Sequence, residues 1–275
     1  MILVTGATGN IGGALVRMLL DGGHEVRVLT RDRARVTASG VDIAVGDLEQ
    51  PETLAPALAG VDRAFFVFHA GPQLAARAAD FAQAARAAGV RHVVAVSSGT
   101  IEMDPLPLIG RWHLALEEAF AGVATTTFLR PDNFASNALR WAPMIRERSM
   151  VFAPYADGQS TPIDPHDIAA VAHVALTTPG HDGKIYTLSG PAVMTAREQV
   201  AVIAAELGRE LTVVDAPPEQ ARAGMVRSGM PEQMANAILE LLNRPPRPTT
   251  TVRDVTGVAP RSFATWVHEH LAAFS

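Results

Sequence analysis

Apolar residues along this chain fall into short runs separated by glycine-bearing turns and amphipathic stretches, and the alternation is regular through the first half. The run at residues 2–5 closes on Gly6. From Ile11 to Leu20 apolar positions recur at helical spacing until Asp21, Gly22 and Gly23 stop them, so the pattern predicts strand, tight turn and helix. Further strands are predicted at His24 to Thr30, Val41 to Val45, Arg63 to Phe68, Arg91 to Ser97 and Thr125 to Leu129, from their β-branched and aromatic enrichment. Helices are predicted between them, from Pro51 to Leu58 before Gly60, from Gln73 to Ala88 before Gly89, and from Ile109 to Ala121 before Gly122. Such alternation predicts an α/β fold of Rossmann-like type, a doubly wound parallel sheet covered by helices on both faces.

After Pro131 the rhythm loosens. Pro143, Pro154, Pro162, Pro165 and Pro179 surround a predicted helix from Asp167 to Leu176, and Lys184 to Leu188 reads as a late strand returning to the sheet. Thr195 to Glu198 is a capping box that opens a helix to Leu207, with Gly208 as its stop. A short strand at Leu211 to Val214, a helix from Pro231 to Leu242, a turn-rich connector from Asn243 to Pro248 and a terminal helix from Arg261 to Phe274 complete the reading. Residues 1–130 are assigned to the core and 131–275 to a small C-terminal α/β subdomain. No independent second hydrophobic core is expected.

Composition narrows the function classes. The 275 residues are 48% apolar, contain no cysteine and carry a net charge of -5, which excludes thiol chemistry and cysteine metal sites and favours neither nucleic acid nor anionic lipid as a partner. No apolar run reaches the length of a membrane span, and the start lacks the basic region of an export signal, so the expected location is cytoplasmic. The alanine-rich chain, with Lys184 as its single lysine, suggests a bacterial gene of high GC content.

Gly6, Gly9 and Gly12 lie at the seam between the first strand and the first helix, with Thr8, Asn10 and Ile11 in the same turn. Glycine there permits a tight turn, close backbone approach to a pyrophosphate and close packing of helix on sheet, while the helix N-terminus supplies amide donors. The spacing GxxGxxG differs from the usual dinucleotide fingerprint, but the strand before it and the helix after it support the same use. At the end of the second strand an acid would read a free ribose 2'-hydroxyl, whereas here Thr30 is followed by Arg31, with Arg33 close by, which favours a 2'-phosphate. NADP(H) is therefore the preferred cofactor and NAD(H) the alternative, with Asp32 as the residue able to reverse the preference. Asp47 and Leu48 match a stretch that edges the adenine, or Asp47 simply caps a turn.

Taken in order, VTGATGNIG at 4–12, TRDR at 30–33, GDL at 46–48, RHVVAVSS at 91–98, RWHLALEEAF at 111–120 and LRPDNFASN at 129–137 resemble the NmrA-like, NAD(P)-binding family of atypical short-chain dehydrogenases/reductases. The segments TPIDPHDIAAVA and YTLSGPAVMTAREQVAVIAAELG extend the resemblance over essentially the whole chain. It implies that Arg31 reads the phosphate and that Phe68 and His69 sit by the cofactor's ribose and nicotinamide side, though Phe68 also suits an apolar floor. Ser97 and Ser98 match the serines ending the fifth strand, and Pro131, Asn133 and Phe134 match the segment that passes the nicotinamide.

The chemistry departs from the broader superfamily, whose active members use Tyr-x-x-x-Lys on a helix to move a proton. Here Ile109 holds the tyrosine position and His113 the lysine position. His113, one turn from Glu117, is thus a candidate cofactor contact or proton donor, with Ser97 nearby; Tyr155, in a Pro/Gly-rich insert, is a further candidate donor. Asp167, beside His166, reads as a helix cap. No metal site, serine-hydrolase elbow or lysine-bearing phosphate loop is recognisable. The leading expectation is an NADPH-dependent oxidoreductase passing hydride to a small apolar or aromatic acceptor such as a quinone, imine or activated double bond. Phe134, Trp141, Met144, Phe152 and Tyr155 offer apolar material for the acceptor site. A non-catalytic NAD(P)-sensing regulator, and an isomerase or dehydratase using NAD(P) transiently, are the alternatives, and monomer and homodimer both remain open.

Overall fold

The computed structural model describes residues 1–122 and 125–275. The first half follows the hydrophobic pattern closely: β1 Ile2–Val4, α1 Asn10–Asp21, β2 Val26–Thr30, β3 Asp42–Val45, α2 Leu54–Leu58, β4 Arg63–Phe66, α3 Leu74–Ala87, β5 His92–Val96, α4 Leu108–Ala119 and β6 Thr126–Pro131. Pro51 opens a 3-10 turn over Pro51–Thr53 before α2, rather than the helix itself. The chain continues through α5 Ala142–Arg148, β7 Met150–Ala153, β8 Gln159–Ser160, α6 Pro165–Thr177, β9 Ile185–Leu188, β10 Met194–Thr195 and α7 Ala196–Leu207. It ends with β11 Thr212–Asp215, α8 Pro218–Arg227, α9 Glu232–Leu242, α10 Thr251–Thr256 and α11 Phe263–Glu269.

Two compact units result. The first comprises Met1–Pro131, Pro165–Thr187 and Asp254–Gly257, and the second Asp132–Asp164, Leu188–Arg253 and Val258–Ser275. In the first, the seven-stranded sheet has the order β3-β2-β1-β4-β5-β6-β9. Its first six strands pair in parallel, with Val4 opposite both Val28 and Phe65, and Val96 opposite Leu129. Strand order reverses between β1 and β4, and at such a switch point the strand ends leave a crevice for a ligand. The doubly wound fold is thus the one the sequence predicts.

Phe66, Phe81 and Phe120 centre this unit's core, with ring centroids 5.0 Å apart for Phe66 and Phe81 and 5.3 Å for Phe66 and Phe120. Offset and edge contacts at such separations add about 1 kcal/mol each to the area they bury. Leu3, Leu54, Leu74 and Leu116 fill the same cluster, which explains why β1, α2, α3 and α4 each turn an apolar face inward.

The second unit corrects the expectation of no second core. Ala135, Ile145, Val151, Val200, Ile203, Trp266 and Phe274 form a separate buried cluster. It escapes the sequence pattern because its residues come from segments far apart in the chain. α7 has the expected capping box, with Thr195 Oγ1 accepting from the Glu198 amide at 3.1 Å, and Gly208 ends it at φ +64°. The terminal helix is shorter than predicted, ending at Glu269 before a 3-10 turn over Leu271–Ala273. α5, α8 and α10, and the small pairings of β11 with β7 and β10 with β8, were not read from the sequence.

Candidate active site

The ends of β1 and β4 are tied by Thr5, whose Oγ1 accepts from the Val67 amide at 2.9 Å. Just beyond, Gly6 takes the left-handed conformation at φ +61°, where a Cβ would also lie 2.6 Å from Val67 Cγ1. A Cβ on Gly12 would stand 2.3 Å from the Gly6 carbonyl oxygen, so both glycines are demanded by space. The loop turns directly into α1, whose N-terminus has no side-chain cap and no acid in its first turn. Thr8, Gly9 and Asn10 are exposed, whereas Ile11 and Gly12 are buried under the helix. An uncapped helix N-terminus behind a glycine cradle fits the pyrophosphate of a dinucleotide.

At the end of β2, Thr30 Oγ1 donates to the Asp32 carbonyl at 3.0 Å and accepts from the Asp32 amide at 3.2 Å. Asp32 Oδ1 accepts from the Ala34 amide at 2.9 Å, capping the 3-10 turn Arg33–Arg35. That bond gives Asp32 a local structural task. Arg33 donates to the Ile43 carbonyl at 3.4 Å, while Arg31 is exposed and carries no hydrogen bond or ion pair among the described residues. Asp47 makes the turn cap that its alternative reading described, Oδ1 accepting from the Glu49 amide at 3.0 Å, with Leu48 buried behind it. Phe68 packs partly on the core and its ring lies 4.1 Å from that of exposed His69.

Beyond β5, Ser97 is buried and Ser98 caps the following 3-10 turn by accepting from the Thr100 amide at 3.2 Å. Ser97 Oγ donates to Glu117 Oε1 at 2.7 Å. Arg130 grips the same carboxylate with two prongs, Nε to Oε1 at 2.9 Å and Nη2 to Oε2 at 2.7 Å, and reaches Glu102 Oε1 at 3.2 Å. Thr187 Oγ1 donates to Glu102 Oε1 at 2.6 Å. Among the described residues Glu117 thus makes no hydrogen bond to His113. These acids push the Arg130 pKa up, chiefly through the Glu117 hydrogen bonds. Arg130 and Glu102 went unread in the sequence, although one arginine in the alternating strand TTFLRP already calls for an acid partner.

His113 is buried, and its Nδ1 lies 2.9 Å from the Ile109 carbonyl. A carbonyl only accepts, so Nδ1 carries the proton and neutral Nε2 is an acceptor. Burial lowers the His113 pKa from its ordinary value of 6.5, outweighing the Ile109 hydrogen bond and the Glu117 charge, which raise it. With a depressed folded-state pKa, the unfolded chain binds more protons than the native one. Its stabilising contribution is complete above 6.5 and is lost as pH falls through the lower native value. Denaturation midpoints of the wild type are expected to rise with pH across that window, with a shallower slope in His113→Gln; equal slopes would refute the assignment. Burial lowers His92 and His173 in the same direction, so a residual slope remains in the variant.

Pro131 closes β6. In the second unit, Asn133 Oδ1 accepts from Asn137 Nδ2 at 2.7 Å, and Phe134 forms a parallel bridge with Ile163. Tyr155 adopts φ +55° and borders, within the same unit, a cavity of about 790 Å³ with Arg222, Asn236 and Leu239. Among the described residues no cluster of metal-ligating side chains occurs, and no helix is long and apolar enough to cross a membrane.

Residues 6–179 match a family model described as NAD(P)H-binding. The chain belongs to this NAD(P)H-binding family. The NmrA-like, atypical short-chain dehydrogenase/reductase resemblance and the expectation of a nicotinamide dinucleotide are thereby borne out. The chain is 39% identical over 285 residues to an NAD(P)H azoreductase of Xenophilus azovorans, covering 100% of this chain and 99% of that one. It is equally 39% identical, with the same coverage, to a (4-alkanoyl-5-oxo-2,5-dihydrofuran-3-yl)methyl phosphate reductase of Streptomyces griseus. Triphenylmethane reductase of Citrobacter sp., solved with NADP(H), superposes with TM-score 0.82 at 25% identity over 98% of this chain and 100% of that one. An NADPH-dependent quinone oxidoreductase from Escherichia coli, solved with NADPH, shares the fold with TM-score 0.85 at 24% identity over 99% and 100%.

Proposed function

We propose that this member of the family is an NADPH-dependent reductase of small apolar or aromatic acceptors, of the quinone, imine or activated-double-bond class. The observation that carries the reading is the state of protons where the Tyr-Lys pair would stand. The His113 Nδ1 proton is held by the Ile109 carbonyl and the Ser97 proton by Glu117. Neither group offers a proton, so the best acceptors are those able to take hydride and collect their proton from water afterwards. When bound, NADPH supplies the hydride; the glycine loop and the α1 N-terminus would hold its pyrophosphate and Arg31 its 2'-phosphate. Asp47, Leu48, Phe68 and His69 would border the nucleotide at the ends of β3 and β4. Neutral Nε2 of His113 and a lone pair of Ser97 are left to accept hydrogen bonds, which suits orientation of hydroxyl or amide groups. The relatives support the reading, since their names describe reduction of azo, quinone, dye and furanone substrates.

The test is oxidation of NADPH followed with a panel of quinones and azo dyes. Turnover that depends on the acceptor supports a reductase; cofactor binding with no turnover across the panel supports the sensor instead. Its pH profile is expected to lack the decline that a protonated histidine donor would impose as pH rises through 6.5. Arg31→Ala is expected to raise the KM for NADPH about tenfold and that for NADH little, since a charge-assisted phosphate contact contributes about 1.4 kcal/mol. Equal effects on the two cofactors would remove Arg31 from the phosphate site.

A further inference from the structure

Within the second unit, Tyr155 borders the cavity of about 790 Å³ together with one face of α9 and the start of α8. Asn236, Leu239, Glu240 and Asn243 recur at helical spacing along α9 and its C-cap, so they share the side turned to the cavity. Tyr155 is held in place there. Its φ of +55° is a conformation that a tyrosine keeps only where its surroundings fix it. The Gly158 amide donates to the Tyr155 carbonyl at 2.7 Å, the Arg197 amide donates to the Ala156 carbonyl at 3.1 Å, and the Arg197 side chain pairs with Asp157 at 3.0 Å. Small-molecule sites are of this size, roughly 300–1,000 Å³.

The charges around this cavity do not all cancel. Arg244 pairs with Glu240 at 2.8 Å and Arg222 with Glu232 at 2.6 Å, so each guanidinium is matched. Glu219 also lines the cavity, and its carboxylate has no ion pair or hydrogen bond among the described residues. With Glu232 counted, one negative charge is left in excess. The Tyr155 hydroxyl and the carboxamides of Asn236 and Asn243 likewise make no hydrogen bond among the described residues, and each has an oxygen able to accept one. Leu239 and the Tyr155 ring supply apolar wall, and an aromatic face attracts a cation as well as another ring. An anion would be repelled by the unmatched carboxylate, and a neutral ligand would leave it unanswered.

We propose that this cavity binds a monocationic amine carried on an aromatic ring, with Glu219 as its counter-ion, the Tyr155 ring as the surface it lies on, and the Asn236 and Asn243 oxygens as further acceptors. The site lies wholly within the second unit. It goes beyond the reductase reading and does not depend on it, since binding here makes no covalent bond and uses no cofactor.

The experiment is calorimetry on the full chain without cofactor, using probes that share one ring system: naphthylmethylammonium, naphthalenemethanol and naphthaleneacetate. The wild type is expected to bind the ammonium about fivefold more tightly than the alcohol, the size of a good exposed charge pair, and the acetate least tightly. Raising the salt concentration is expected to shrink that preference. Glu219→Gln is expected to abolish both the preference and its salt dependence, and Tyr155→Ala to weaken ammonium binding about threefold. A carboxylate serving only the N-terminus of α8, where Glu219 stands in the first turn, would change the melting temperature and leave the preference intact, which overturns the proposal. Glu118→Gln, at an exposed acid of the first unit, controls for general attraction to a chain of net charge -5, and an equal loss there overturns the proposal too. Failure of the wild type to bind the ammonium, or a preference for the acetate, refutes it without any variant.

Discussion

Gly12→Ala is expected to abolish useful NADPH binding. Its added methyl would stand 2.3 Å from the Gly6 oxygen, 2.6 Å from the Gly6 carbonyl carbon and 3.0 Å from the Ala7 nitrogen. These are backbone atoms of the loop itself, so no side chain can rotate away, and either α1 or the loop must shift. Overpacking of this kind costs about 1–3 kcal/mol of stability. The same shift displaces the amides that would hold the pyrophosphate, and about 3 kcal/mol lost there corresponds to a roughly 150-fold weaker Kd. Gly13→Ala is the control. Its Cβ would meet only the Ala7 oxygen, at 3.2 Å, among backbone atoms, and alanine in a helix gains about 0.5–1 kcal/mol over glycine, so near-normal binding is expected. Titration of NADPH into both variants, with thermal melts alongside, checks the pair. Wild-type affinity in Gly12→Ala would refute the cradle.

The second large effect is expected at Glu117. Glu117→Ala leaves the Arg130 guanidinium, whose side chain is only 13% exposed, with Glu102 as its remaining acid and frees the Ser97 proton. Breaking a buried pair costs about 3–5 kcal/mol when nothing compensates. Because Glu102 remains at 3.2 Å and is itself 30% exposed, the lower end applies, about 3 kcal/mol. For a chain of this size that corresponds to a fall in Tm of roughly 6–12 °C. Glu117→Gln, which keeps an acceptor for Ser97 but loses the charge, is expected to fall in between. A double replacement, Glu117→Leu with Arg130→Met, removes both charges and is expected to recover most of the loss, since apolar substitutes avoid the desolvation penalty. A double variant no better than Glu117→Ala would show that the pair does more than neutralise buried charge.

The sheet of the first unit was legible because its signals are local. Each strand is a short β-branched or aromatic run, each helix stop a glycine, and every turn is specified within a few residues. The cofactor loop was legible for the same reason: the φ of Gly6 and the close approach at Gly12 are demands that only glycine meets. The second unit was less so. Its core joins Ala135 to Phe274 across the chain, and α5, α8 and α10 have too few apolar positions to declare themselves.

The candidate site divides along the same line. By itself the sequence determined the parallel sheet, the glycine cradle, Thr30 in place of an acid with Arg31 after it, and the loss of the Tyr-Lys pair, because each depends on residue type at a fixed local spacing. Only the tertiary structure decided which groups still have a proton or a charge to offer. The helical spacing sets Glu117 one turn from His113, but β6 brings Arg130 to it, and a guanidinium making two charge-assisted bonds outcompetes a neutral imidazole. His113 then turns to the Ile109 carbonyl and Ser97 to Glu117. Partner choice is a competition among groups brought together by folding, and no local spacing states its outcome.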